Sequence, residues 1–120
     1  MIFVGTDIVL IPRIAKNIEE QSRRFLNHVF TEKEQTICEA KASPDIHYSG
    51  KFAAKEAVKK AILSSKKVDK CILKQIEILN DDSGAPFVSL QNEDLNIGTY
   101  QISVSHSGDY ATATAVLILP

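Results

Sequence analysis

The apolar positions of this chain change their period along its length, and the change separates a largely helical first half from a stranded second half. Residues 2–11 are rich in β-branched side chains and read as a buried strand, interrupted at Gly5-Thr6-Asp7. Pro12 then suits the first turn of a helix, where a missing N–H costs nothing. That helix carries Arg13, Lys16, Arg23 and Arg24. Thr31-Glu32-Lys33-Glu34 has the form of a capping box, in which hydroxyl and carboxylate satisfy each other's backbone amides. The short helix it opens ends near Ser43-Pro44, because a residue before proline disfavours the α region. Asp45 is placed to cap a third, longer helix reaching about Ser64. Ala54, Ala57, Val58, Ala61 and Ile62 form its apolar stripe, small enough to let it lie close against a sheet.

After Asp69 the period becomes that of strands. Residues 72–79 and 87–90 read as strands separated by the turn Asn80-Asp81-Asp82-Ser83-Gly84. A polar connection follows over 91–98. Residues 100–106 and 110–119 then form a hairpin around Ser107-Gly108-Asp109. Helices first and antiparallel strands later is the α+β pattern: an antiparallel sheet with flanking helices. A length of 120 residues with no repeat or linker predicts a single domain over 1–120.

Composition adds exclusions. The chain is 44% hydrophobic and 24% charged, as in ordinary globular proteins, and with no Trp its core must rest on aliphatics and a few Phe and Tyr. The first residues lack the basic segment of a secretory signal, and no apolar run approaches the ~20 residues that span a bilayer, so a cytoplasmic location away from membranes is expected. Cys38 and Cys71 lack metal-type spacing and read as buried apolar residues rather than a disulfide.

The net charge of −1 does not advertise a nucleic-acid binder, but its distribution is uneven. Residues 51–74 carry eight lysines against Glu56 and Asp69, a net +6, whereas 75–120 carry six acids and no Lys or Arg. Such asymmetry fits a localised anion-binding surface or a solvated helix face. A nucleic-acid surface would interleave aromatics with the lysines, and this one does not.

Four segments carry candidate chemistry: Gly5-Thr6-Asp7-Ile8-Val9, Phe30-Thr31-Glu32-Lys33-Glu34, Lys51-Phe52-Ala53-Ala54-Lys55-Glu56-Ala57 and Ser103-Val104-Ser105-His106-Ser107. In this order and in so short a chain they resemble the bacterial holo-acyl-carrier-protein synthase family, the small branch of the phosphopantetheinyl transferases. The third segment is the most specific, and the likeness runs from the first strand to the closing hairpin. The resemblance implies the 4'-phosphopantetheinyl transferase fold, assembled as a homotrimer with sites between subunits. It further implies transfer of 4'-phosphopantetheine from coenzyme A to a serine of apo-acyl-carrier protein, in fatty acid biosynthesis.

Such a transfer breaks a pyrophosphate, so the site needs a cation and positioned donors where charge develops. Mg²⁺ uses one or two carboxylates with phosphates and water, and the resemblance places its ligands at Asp7 and Glu56. From the residues alone, Asp7 could equally be a turn residue, and Glu56 the partner of Lys60 in an i,i+4 pair worth ~0.3–0.5 kcal/mol. By resemblance Lys60 is a phosphate ligand and donor to the leaving group, a task that suits a compact ammonium. Lys51 and His106 fall at coenzyme A-binding positions; their alternatives are a solvated surface lysine and a histidine at a sheet edge. Arg13, Arg23 and Arg24 would give a basic docking face for an acidic carrier protein.

Two places depart from the family pattern: Leu10 stands where an acid is usual, and residues 61–67 contain no glycine where a Gly-rich turn approaches the nucleotide. Ser64, Ser65 and nearby lysines are the substitute donors there. The polar stretch 91–96 is also short for the helix many relatives carry. The rival reading is a non-catalytic module that binds coenzyme A or a carrier protein, derived from such a synthase.

Overall fold

The computed structural model describes residues 1–120, beginning with β1 (Ile2–Leu10). This strand is continuous, not interrupted: Gly5, Thr6 and Asp7 pair in register with Ala115, Thr114 and Ala113. Nor is it buried on both faces. Alternation turns Phe3, Gly5, Asp7 and Val9 inward and leaves Ile2, Val4, Ile8 and Leu10 exposed.

Ile11 already belongs to α1 (Ile11–Gln21), with Pro12 in its first turn as expected. Ser22, at φ 46°, breaks the helical path, so the next residues form a separate α2 (Arg23–Val29). Arg23 and Arg24 therefore do not share a helix with Arg13. The capping box opens α3 (Glu32–Glu39): Glu34 N donates to Thr31 Oγ1 at 3.3 Å, and Thr31 N donates to Glu34 Oε1 at 2.8 Å. In α4 (Pro44–Ser65) the N-cap is Ser43 and proline takes the first turn; Asp45 lies inside that turn and caps nothing. Lys66, in the left-handed conformation, ends the helix.

The remaining strands are β2 (Ile76–Asn80), β3 (Pro86–Leu90), β4 (Thr99–Ser107) and β5 (Tyr110–Ile118). β2 starts later than its apolar run because Leu73–Gln75 is a 3₁₀ turn. All pairing is antiparallel, but two sheets form instead of one: β1-β5-β4 and β2-β3. The segment between β3 and β4 accounts for the split. It folds into a 3₁₀ turn that plugs Leu95 into the core, and the Tyr100 hydroxyl donates to the Leu95 carbonyl, holding β4 away from a ladder with β3.

The main core lies between α4 and the sheets. Ala53, Ala54, Ala57, Val58, Ala61 and Ile62 meet Ile76, Ile78, Leu95, Ala113, Ala115 and Leu117. A smaller cluster of Ile14, Leu26, Val29, Phe30, Cys38 and Tyr48 seats the short helices on the start of α4. Cys38 and Cys71 are free and buried as expected, and burial pushes the Cys38 thiol up to about 12. No helix is long and apolar enough to cross a membrane.

Candidate active site at the seam of β1 and α4

Gly5 sets the geometry of the site. A Cβ at this position would lie 1.9 Å from the Ala57 carbonyl oxygen, so only glycine lets β1 touch the α4 backbone. Ala57 follows Glu56 directly on the helix, and Asp7 lies two residues beyond Gly5 on the same face of β1. The seam thus brings the strand acid beside the turn of α4 that carries Glu56 and Lys60. Lys60 Nζ donates to Asp7 Oδ1 at 3.1 Å and to the Thr6 carbonyl at 2.9 Å.

The local pair between Glu56 and Lys60 is not formed. Lys60 crosses to β1 instead, where a carboxylate with 16% side-chain exposure and a carbonyl offer two acceptors. Glu56 is partly buried and makes no hydrogen bond or ion pair. With the Lys60 side chain 54% exposed, the ion pair itself adds little stability. Its significance is chemical: an exposed cation rests on the strand acid, one helical turn from Glu56.

No group of three or more His, Cys, Asp or Glu side chains converges anywhere in the chain. That argues against a zinc-type cage of nitrogen and sulfur ligands. Two hard carboxylate donors with no third protein ligand are what Mg²⁺ uses when phosphates and water complete its octahedron, so Asp7 and Glu56 fit that ion.

Lys51 and His106 come together in a second cleft of about 450 Å³ between the start of α4, the β2–β3 turn and β4. Lys51 is not a solvated surface lysine. It is 6% exposed, and its Nζ donates to the Ile78 carbonyl at 2.7 Å and to Asn80 Oδ1 at 3.2 Å. Burial lowers its pKa. An ammonium has three donors, so this held group keeps one for a ligand. His106 is exposed on β4. Lys41 and His47, which the sequence reading did not single out, line the same cleft.

The second and third sequence segments meet in a buried network. Lys55 Nζ donates to Glu34 Oε1 at 2.5 Å and to the Ile76 carbonyl at 2.8 Å, while Ile78 N donates to Glu34 Oε2 at 2.8 Å. Thr31 Oγ1 donates to buried Glu77 at 2.5 Å, and Lys55 lies 5.5 Å from the centre of the Phe30 ring. Burial lowers the Lys55 pKa, and the charge of Glu34 opposes that shift. This network ties α3 and β2 to α4 one residue before Glu56. Its signal was the pairing of two segments, each visible in the sequence but not their contact.

Arg13 on α1 and Arg23 and Arg24 on α2 are all exposed. Arg23 is partly engaged, donating to Gln35 Oε1 at 3.3 Å. Of the proposed substitute donors, Ser65 is occupied in closing α4, donating to the Ile62 carbonyl at 2.6 Å and accepting from Lys67 N at 3.2 Å. Ser64 lines a shallow depression with Thr6 and Lys60.

The chain is an α+β domain that pairs Asp7 with Lys60 across a strand–helix seam and gathers four bases in a cleft at the start of the same helix. The family model of the 4'-phosphopantetheinyl transferase superfamily matches residues 3–115, and the chain belongs to that family. It is 43% identical over 116 residues to the holo-[acyl-carrier-protein] synthase of Protochlamydia amoebophila, covering 94% of both chains. To the synthase of Thermodesulfovibrio yellowstonii it is 41% identical, over 95% of this chain and 96% of the other. Among solved structures it is similar to the Chronobacterium ammoniagenes ACPS–CoA complex, with a TM-score of 0.85 and 30% identity, covering 100% and 98% of the two chains. The Helicobacter pylori synthase in complex with coenzyme A matches with a TM-score of 0.82 and 30% identity, over 96% and 99%.

Proposed function

We propose that this chain, acting over residues 1–120 as one unit, transfers 4'-phosphopantetheine from coenzyme A to a serine of apo-acyl-carrier protein. Adenosine 3',5'-bisphosphate is the product released. The reading is carried by the seam itself: Lys60 held on Asp7 at 3.1 Å, one turn from Glu56, in a chain of the phosphopantetheinyl transferase family.

Asp7 and Glu56 would hold Mg²⁺, which supplies charge neutralisation and orientation at the pyrophosphate. Lys60 swings from Asp7 onto the phosphates and donates to the leaving oxygen as the pyrophosphate P–O bond breaks. The oxygen of the acceptor serine bonds to the phosphorus that carries pantetheine as its hydroxyl proton passes to solvent water, and adenosine 3',5'-bisphosphate departs with the broken P–O bond's electron pair. Lys51 and His106 hold the nucleotide end, Lys51 already fixed by Ile78 and Asn80 so that little ordering remains.

Exposed Arg13, Arg23 and Arg24 present the charge that an acidic carrier protein requires. The exposed apolar side chains of β1 and β5 support a homotrimer. The place of action is the cytoplasm, where carrier proteins of fatty acid biosynthesis are charged.

The test is to incubate the protein with coenzyme A, Mg²⁺ and an apo carrier protein and weigh the carrier. A gain of one phosphopantetheine, abolished by EDTA, is expected. An unchanged carrier overturns the transferase reading, and full transfer in EDTA overturns the metal assignment.

A further inference from the structure

The cleft that holds Lys51 and His106 has an unusual lining. Its titratable members are Lys41, His47, Lys51 and His106, all bases, contributed by the α3–α4 junction, α4 and β4. Acids close by in sequence, among them Glu39, Asp45, Glu77, Asp81, Asp82 and Asp109, do not line it. Asp81 is turned into its own loop, accepting from Ser83 N at 2.9 Å and Ala85 N at 3.0 Å. The neutral liner Asn80 is committed on both sides: its Nδ2 donates to the Gly84 carbonyl at 3.1 Å and its Oδ1 accepts from Lys51. Four bases converge on one concave surface; Glu34 and Glu77 act on the charge of Lys51 but do not line the cleft, so the matching ligand is an anion such as a phosphate.

We propose that His47 is a further ligand-binding residue of this cleft, gaining its proton when a phosphate dianion enters and so making the hold on coenzyme A tighter as pH falls. This rests on the coenzyme A reading above and adds a residue and a pH dependence to it.

The physical sequence is direct. In the empty cleft, partial burial lowers the pKa of His47, and the positive charges of Lys41, Lys51 and His106 lower it further. The imidazole is therefore neutral at pH 7, an acceptor or single donor among cations. A phosphate dianion offsets those neighbouring charges and rewards a protonated ring. The pKa of His47 is thus higher with ligand than without, and binding takes up a proton. Affinity then rises as pH drops towards 6, since linkage makes the more protonated state the better binder.

The probe is adenosine 3',5'-bisphosphate, which carries the phosphates of the nucleotide end without the pyrophosphate. Calorimetric titrations at pH 7 in two buffers of different ionisation heat count the protons taken up; the ligand's own protons cancel when variants are compared. Wild type should take up more protons than His47→Gln, while His106→Gln keeps the His47-linked share. Between pH 8 and pH 6 the affinity of wild type should improve several-fold more than that of His47→Gln. His47→Lys, which carries a fixed charge, should bind tightly at pH 8 with that extra dependence gone. Equal proton uptake in wild type and His47→Gln overturns the inference and leaves the transferase reading standing. No binding by wild type at any pH overturns the coenzyme A reading instead.

Discussion

At the scale of single residues, Lys60 shows how a side chain's partner depends on depth as much as on sequence spacing. The helical spacing offered it Glu56, yet it donates to Asp7 and the Thr6 carbonyl across the seam. Resting there, it compensates the charge of Asp7, and its side chain is more than half exposed. An interaction made mainly in the transition state lowers turnover when removed, whereas one made equally in the ground state raises the Michaelis constant. Lys60→Ala should therefore lower the turnover number by roughly 10²–10³, as loss of other preorganised donors does, with a modest change in the Michaelis constant for coenzyme A. Steady-state kinetics with coenzyme A varied separates the two. A rise in the Michaelis constant alone would make Lys60 a binding residue. Asp7, Glu56 and Lys60 could be singled out from their segments; the pairing of Lys60 with Asp7 could not, because local spacing says nothing about a carbonyl and a carboxylate supplied by another element. The solvated alternative for Lys51 fails for a related reason. A lysine counts as polar in any periodic pattern, and only tertiary structure reveals that carbonyl and amide oxygens wait for it in the interior. His47 belongs to no motif, and its place in the cleft follows from the docking of α4 against β4.

At the scale of elements, α4 is positioned by two devices that the apolar pattern could not distinguish from ordinary packing. The first is the contact at Gly5. Gly5→Ala would put a methyl carbon 1.9 Å from backbone oxygen, which cannot rotate away. Overpacking of this kind costs about 1–3 kcal/mol, and urea denaturation should place the variant at the upper end of that range. Because the strand must back away from the helix that bears Lys60, turnover should fall as well. Wild-type stability in Gly5→Ala would mean that the seam is looser than the backbone contact requires.

The second device is the Lys55–Glu34 pair, with both side chains fully buried. Such a pair is dear to bury, but it is dearer to break once formed. Lys55→Met should cost about 3–5 kcal/mol by leaving the Glu34 charge without its cation. A loss below about 1 kcal/mol, read from the same urea titrations, would show that the amides of Thr31 and Ile78 suffice for Glu34. The elements themselves were largely readable. Proline, the capping box and the alanine stripe marked α1, α3 and α4, and period-two alternation marked the hairpin of β4 and β5. The break at Ser22 and the division into two sheets were not readable. One depends on a left-handed serine with no local sequence signal, the other on where Leu95 finds room in the core.

At the scale of the whole molecule, one face of the three-stranded sheet is unfinished. α4 covers one side, and the other shows Ile2, Val4, Ile8 and Leu10 of β1 with Tyr110 and Ile118 of β5. The register sets Ile2 opposite Ile118 and Val4 opposite Val116 at one end and Leu10 opposite Tyr110 at the other, with the Thr6–Thr114 pair between them. Exposed apolar side chains gathered on one sheet face suit an interface, and in a homo-oligomer closed symmetry covers it. β1 also carries Asp7 on its inner face, so burying the outer face would stiffen the strand that holds a site acid. An interface here predicts an oligomer; with the homotrimer that the family resemblance implies, light scattering should give about 40 kDa, three times the chain mass of 13.2 kDa. Ile8→Glu places a charge in the middle of the exposed face without touching the core, because Ile8 is 66% exposed in the single chain. It should shift the mass towards one chain and reduce turnover together, with secondary structure preserved by circular dichroism. A wild-type monomer with full transferase activity would remove the interface from the mechanism. A trimer unaffected by Ile8→Glu would move the interface to another face.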